Sequence, residues 1–63
     1  MRNKPISEDW IPSPKTVMDM QSECPGLDIH YETKQFRDWF VSTGRVYACW
    51  DARFRIWCRE NYR

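Results

Sequence analysis

The chain has 63 residues, of which 41% are hydrophobic, 16% aromatic and 30% charged, with a formal net charge of +1. That is enough for one small domain and too little for a dinucleotide-binding or barrel enzyme. Its aromatic content and balanced charge exclude a disordered tail, and no run approaches the ~20 apolar residues that span a bilayer.

Met1-Arg2-Asn3-Lys4-Pro5 has no apolar stretch behind it, so no secretory signal is expected. Residues 1–9 are polar and read as a flexible, extended lead-in. Trp10-Ile11-Pro12-Ser13-Pro14 anchors the domain over residues 10–63. Ser13 is the expected N-cap and Pro14 the first helical residue. A first helix is expected from Pro14 to Glu23, with Val17, Met20, Cys24 and Leu27 on its apolar face and exit. Cys24-Pro25-Gly26 stops it. The second helix starts at either Asp28 or Thr33, carries Phe36, Trp39 and Phe40 inward, and ends at Gly44. Val46 and Tyr47 favour extension, but two residues without a partner strand make no sheet. A third helix is expected from Cys49 to Asn61, with Trp50, Phe54, Trp57 and Asn61 on one face and Arg55, Arg59 and Arg63 opposite. The expected fold is all-α, a compact three-helix bundle. Its core is centred on Trp10, Val17, Met20, Leu27, Phe36, Trp39, Phe40, Trp50, Phe54 and Trp57.

The three cysteines, Cys24, Cys49 and Cys58, form an odd set without a CxxC. They read as reduced thiols of a cytoplasmic protein, serving as small packing residues. Cys49 and Cys58 lie nine residues apart along one helix, too far for a disulfide. With His30 they lack the close spacing of a zinc site, so no metal or other cofactor is expected. Gly26 and Gly44 make no glycine-rich phosphate cradle. The lone histidine stands in a polar stretch, and so short a chain rarely sequesters a pocket. Enzymatic activity is not expected.

Charge divides the chain. Residues 1–33 carry three basic and six acidic side chains, and residues 34–63 carry seven and three. Cationic and aromatic residues interleave in the second half: Arg45, Tyr47, Trp50, Arg53, Arg55, Trp57, Arg59 and Tyr62. Single strands are gripped by cations along the phosphates and by rings under the bases. Trp50, Phe54 and Trp57 share the core stripe, which leaves Tyr47 and Tyr62, with Tyr31, free to stack. Arg55 and Arg59 repel mildly at i, i+4, a conflict that a polyanion would relieve.

The order Trp10-x-Pro12, then Phe36-Arg37-Asp38-Trp39-Phe40, then Gly44, then Trp50-Asp51-x-x-Phe54-x-x-Trp57 resembles the C-terminal DNA-binding domain of primosomal DnaT proteins. It is similar too to related domains of phage and prophage replication proteins. The likeness covers about Asp9 to Arg59. It implies single-stranded DNA binding in replication restart or phage replication initiation, with replication proteins as partners. On this reading Arg53, Arg55 and Arg59 contact phosphates, with Arg45 beside them, and Tyr47 stacks on a base. The alternative is a protein-docking module for a helicase or its loader, with the acidic first helix (Asp19, Glu23) facing a basic protein.

Overall fold

The structure, a computed structural model, describes residues 2–62. In chain order it runs β1 (Lys4–Pro5), α1 (Pro14–Glu23), α2 (Ile29–Thr43), β2 (Val46–Tyr47) and α3 (Trp50–Asn61).

Local chemistry sets each helix boundary. The Ser13 hydroxyl accepts the Thr16 N–H at 3.3 Å, and Pro14 occupies the first turn, where its missing N–H costs nothing. α1 closes as the Cys24 N–H donates to the Met20 carbonyl at 2.8 Å, and Gly26 turns the chain at φ 89°. Of the two possible starts for α2, Asp28 is used, its carboxylate accepting the Tyr31 N–H at 3.0 Å. The earlier start adds a turn that buries Ile29 and Thr33, and the Thr33 hydroxyl is satisfied on the Ile29 carbonyl at 2.8 Å. Gly44, at φ 70°, ends α2 in the left-handed region that glycine enters without a Cβ penalty. α3 begins one residue later than expected, with Cys49 as an N-cap that makes no side-chain bond.

The helices form an up-down-up bundle. α2 and α3 run antiparallel: Glu32 meets Trp57, Phe36 lies 5.2 Å from Phe54, and Phe40 lies 5.2 Å from Trp50 between ring centroids. α1 runs parallel to α3, since Asp19 meets Arg55 and Glu23 meets Arg59. Phe36 is the hub, fully buried and flanked by Trp10, Phe40, Trp50, Phe54 and Trp57 at centroid distances of 4.8–6.0 Å. Tilted and edge-on ring packing of this kind adds to the burial of area.

Three expectations require correction. The fold is not purely α: β1 and β2 pair antiparallel, with Lys4 opposite Tyr47 and Pro5 opposite Val46. The partner strand that Val46 and Tyr47 lack locally comes from the N-terminal segment read as a flexible lead-in. The Trp50 indole N–H holds that segment by donating to the Lys4 carbonyl at 3.0 Å, and Ile6 is buried in the core at 8% exposure. Trp39 is not core; it is 54% exposed. Trp10, Val17, Leu27 and Trp57 are half-buried around a centre that also takes Ile6, Ile29 and Cys58.

Ile6→Ala should therefore lower stability by about 2–5 kcal/mol, the range for a buried Ile cut to Ala. Thermal unfolding followed by circular dichroism checks this, and a melting temperature within a degree or two of the parent would mean that the β1 segment is not docked.

Cys24 and Cys58 are buried and Cys49 is exposed. Burial, then the neighbouring Cys24 and Glu32, push the Cys58 thiol up to about 12, so it stays protonated and behaves as a packing group. Among the described residues no helix is long and apolar enough to cross a membrane, and no three His, Cys, Asp or Glu side chains gather as a metal-ligand set.

Candidate nucleic-acid interface

Of the five residues singled out from the sequence, Arg45 and Tyr47 lie just before and in β2, while Arg53, Arg55 and Arg59 divide between two faces of α3. Arg53 is on one edge of the buried Trp50–Phe54 stripe, while Arg55 and Arg59 are on the other, next to α1. One guanidinium nitrogen of Arg55 donates to the Asp19 carboxylate at 2.9 Å, and another donates to the Thr16 hydroxyl at 3.2 Å. Arg59 grips Glu23 through two nitrogens, at 2.9 and 3.2 Å. The Asp51 carboxylate continues the seam, accepting the Thr16 hydroxyl at 3.2 Å. The anions that relieve the Arg55–Arg59 repulsion are thus the chain's own. Asp19 and Glu23 are turned toward α3 and are not presented as a free acidic face.

This seam makes stability pH-dependent. Hydrogen bonds from Arg55 and then Lys15 hold the Asp19 carboxyl below its ordinary range, and Arg59 does the same for Glu23. A carboxyl whose pKa is lower folded than unfolded stabilises the fold above its unfolded pKa and loses that contribution as pH falls through its folded pKa. Both pairs are open to water, so the effect is modest. The melting temperature should be flat from neutral to about pH 5 and fall below about pH 4. The double variant Asp19→Asn, Glu23→Gln should fall less steeply. Parallel declines would place the acid sensitivity elsewhere.

The other face is built from α2, β2 and α3. The Arg53 guanidinium lies over the Tyr47 ring, 4.6 Å from its centroid. Its Nε is buried and has no hydrogen-bond partner among the described residues. Tyr47 also packs on Phe40 at 5.9 Å and on Trp50 at 5.2 Å, so its ring is held rigidly and half-buried. Its phenol pKa is held below the usual range, first by the Arg45 guanidinium at its oxygen and then, against the opposing effect of burial, by the charges of Arg53 and Arg45. Two cations therefore converge on one ring, with Lys4 directly across the hairpin.

Trp39 joins this face. On α2 the buried stripe is Ile29, Thr33, Phe36 and Phe40. Glu32, Gln35, Trp39 and Thr43 follow its edge at helical steps of about three to four residues. That edge faces α3, because Glu32 accepts the Trp57 indole N–H at 3.0 Å. On α3 the facing edge carries Arg53, Trp57 and Glu60. An exposed indole, a rigid tyrosine ring and two or three cations thus share one side of the molecule. Tyr31 and Tyr62, read from the sequence as free rings, are exposed at 54% and 38%. Arg63 lies outside the described residues.

A second surface feature is an apolar groove between α1 and α2, lined by Ile11, Pro12, Val17, Gln21, Ile29 and Thr33, with His30 at its edge. No family model, curated protein or solved structure matches the chain, so both surfaces are read on their own chemistry.

Proposed function

We propose that this domain binds single-stranded DNA on the face formed by α2, β2 and α3, as a non-enzymatic DNA-binding part of a replication protein. The observation that carries this reading is the exposed Trp39 on the same side as the Arg45–Tyr47–Arg53 cluster. Rings supply sequence-tolerant stacking and guanidinium groups supply phosphate contacts, the two elements that single-strand binders combine. Arg45 and Arg53 take the phosphate role, while Arg55 and Arg59 hold α1 to α3. The likeness to primosomal DnaT domains supports the same assignment and suggests replication restart or phage replication initiation as its setting. A protein-docking role, toward a helicase or its loader, is favoured separately by the α1–α2 groove, where Ile11 is 70% exposed beside apolar lining.

Titration of fluorescently labelled oligonucleotides at low salt tests the reading. Single strands should bind more tightly than duplex of the same sequence. With about two phosphates neutralised, log K should fall against log salt with a slope of roughly −1.4. The double variant Arg45→Ala, Arg53→Gln should bind weakly and nearly independently of salt. No binding at high micromolar protein, or equal binding of duplex, would remove the single-strand reading and leave the docking role.

A further inference from the structure

The cationic–aromatic face is bounded. Because α2 and α3 are antiparallel, one end of their shared edge joins the hairpin and carries Arg45, Arg53 and Lys4. The other end brings together the start of α2 and the end of α3, where, among the described residues, the charged side chains on this edge are Glu32 and Glu60. Asp28, the α2 N-cap, stands at the same end. Glu32 is fixed there by the Trp57 indole, and Glu60 makes no hydrogen bond or ion pair among the described residues. From Arg53 to Glu60 is seven residues, about 10 Å along the helix at ~1.5 Å per residue. A strand laid along the α2–α3 groove would carry its phosphates from two guanidinium groups into two or three carboxylates, where like charges repel.

We propose that the site takes a short stretch of single-stranded DNA, about three nucleotides, crossing the hairpin end of the bundle, and that Glu32 and Glu60 end the track. This rests on the single-strand reading above and adds its length and direction. The exposed Trp39 ring and the guanidinium groups of Arg45 and Arg53, which rest on Tyr47 and pair with no carboxylate among the described residues, match one or two bases and about two phosphates. A protein built this way accepts small gaps and strand ends that a long groove could not engage fully.

Thymidine oligonucleotides of about four, six and twelve nucleotides, titrated by fluorescence anisotropy at low salt, test the proposal. Once the number of available registers is allowed for, affinity should level off at the shortest length, and the salt slope should stay at about −1.4 at every length. Glu60→Lys should steepen the slope for the longest strand by about 0.7 and raise its affinity several-fold, leaving the shortest unchanged. Glu60 is exposed and makes no bond among the described residues, so this variant should melt with the parent. Affinity per register that keeps climbing with length, or a Glu60→Lys gain equal at all lengths, would overturn the short footprint while leaving single-strand binding intact. Failure to bind at any length would overturn the single-strand reading itself, and the footprint with it.

Discussion

Phe36→Ala should unfold most of the molecules at room temperature. Phe36 is fully buried and meets rings from the N-terminal segment, from its own helix and from α3. A buried Phe cut to Ala costs about 3–5 kcal/mol, and a core from so short a chain supplies about the same amount in total. The site has little capacity to collapse, because its neighbours are rigid rings packed edge-on rather than flexible aliphatic chains. Far-ultraviolet circular dichroism should show lost helix, and the near-ultraviolet signal of the packed tryptophans should vanish with it. Trp39→Ala is the matched control: it removes a larger ring from the same helix three residues away and should melt within a few degrees of the parent. If Phe36→Ala retained a cooperative transition close to the parent, the hub would lie elsewhere in the ring cluster.

Local signals were enough for the helices. Ser13-Pro14, Cys24-Pro25-Gly26 and Gly44 act on the backbone within a turn of themselves, so both ends of α1 and the C-terminal end of α2 are legible in them, while the start of α2 stays open between Asp28 and Thr33. The hairpin could not be read this way. Lys4 and Tyr47 are far apart in sequence, and a two-residue strand has no periodicity to show. Trp39 lies outside the expected core for a geometric reason. Phe36, Trp39 and Phe40 look like one apolar stripe, yet Ile29, Thr33, Phe36 and Phe40 define its centre, and Trp39 falls on the edge. The buried Thr33 was the available clue, since counting it inward shifts the stripe away from Trp39. The arginines carried a similar clue. Asp19 and Glu23 are four apart, as are Arg55 and Arg59, and two parallel helices bring such pairs into register. Charge totals by half-chain hid this, because they count Arg55 and Arg59 as free cations. The excess of cations that remains is smaller, and of its members Arg45 and Arg53 sit at the end where β2 meets α3.

Trp39→Ala should weaken single-stranded DNA binding by about 1–3 kcal/mol, or roughly 5- to 150-fold, without altering the fold. The ring is 54% exposed, so its removal leaves no internal cavity, whereas a base stacked on it would lose its platform. Because no phosphate contact is lost, the salt slope should be unchanged, and Trp39→Phe should recover most of the affinity. The double variant Arg55→Ala, Arg59→Ala should behave in the opposite way. It removes both ion pairs of the α1–α3 seam, so its melting temperature should drop, while its affinity at a temperature where it is folded should match the parent. Affinity, salt slope and melting temperature separate the three roles: loss of stacking lowers affinity alone, loss of a phosphate contact lowers affinity and flattens the slope, and loss of the scaffold pairs lowers the melting temperature alone. Should the Arg55, Arg59 variant lose affinity and flatten the salt slope while Trp39→Ala binds normally, the strand would run over the α1–α3 face. The carboxylates of Asp19 and Glu23 would then have to yield their arginines to phosphate, and binding would strengthen as those carboxylates were neutralised by Asp19→Asn and Glu23→Gln.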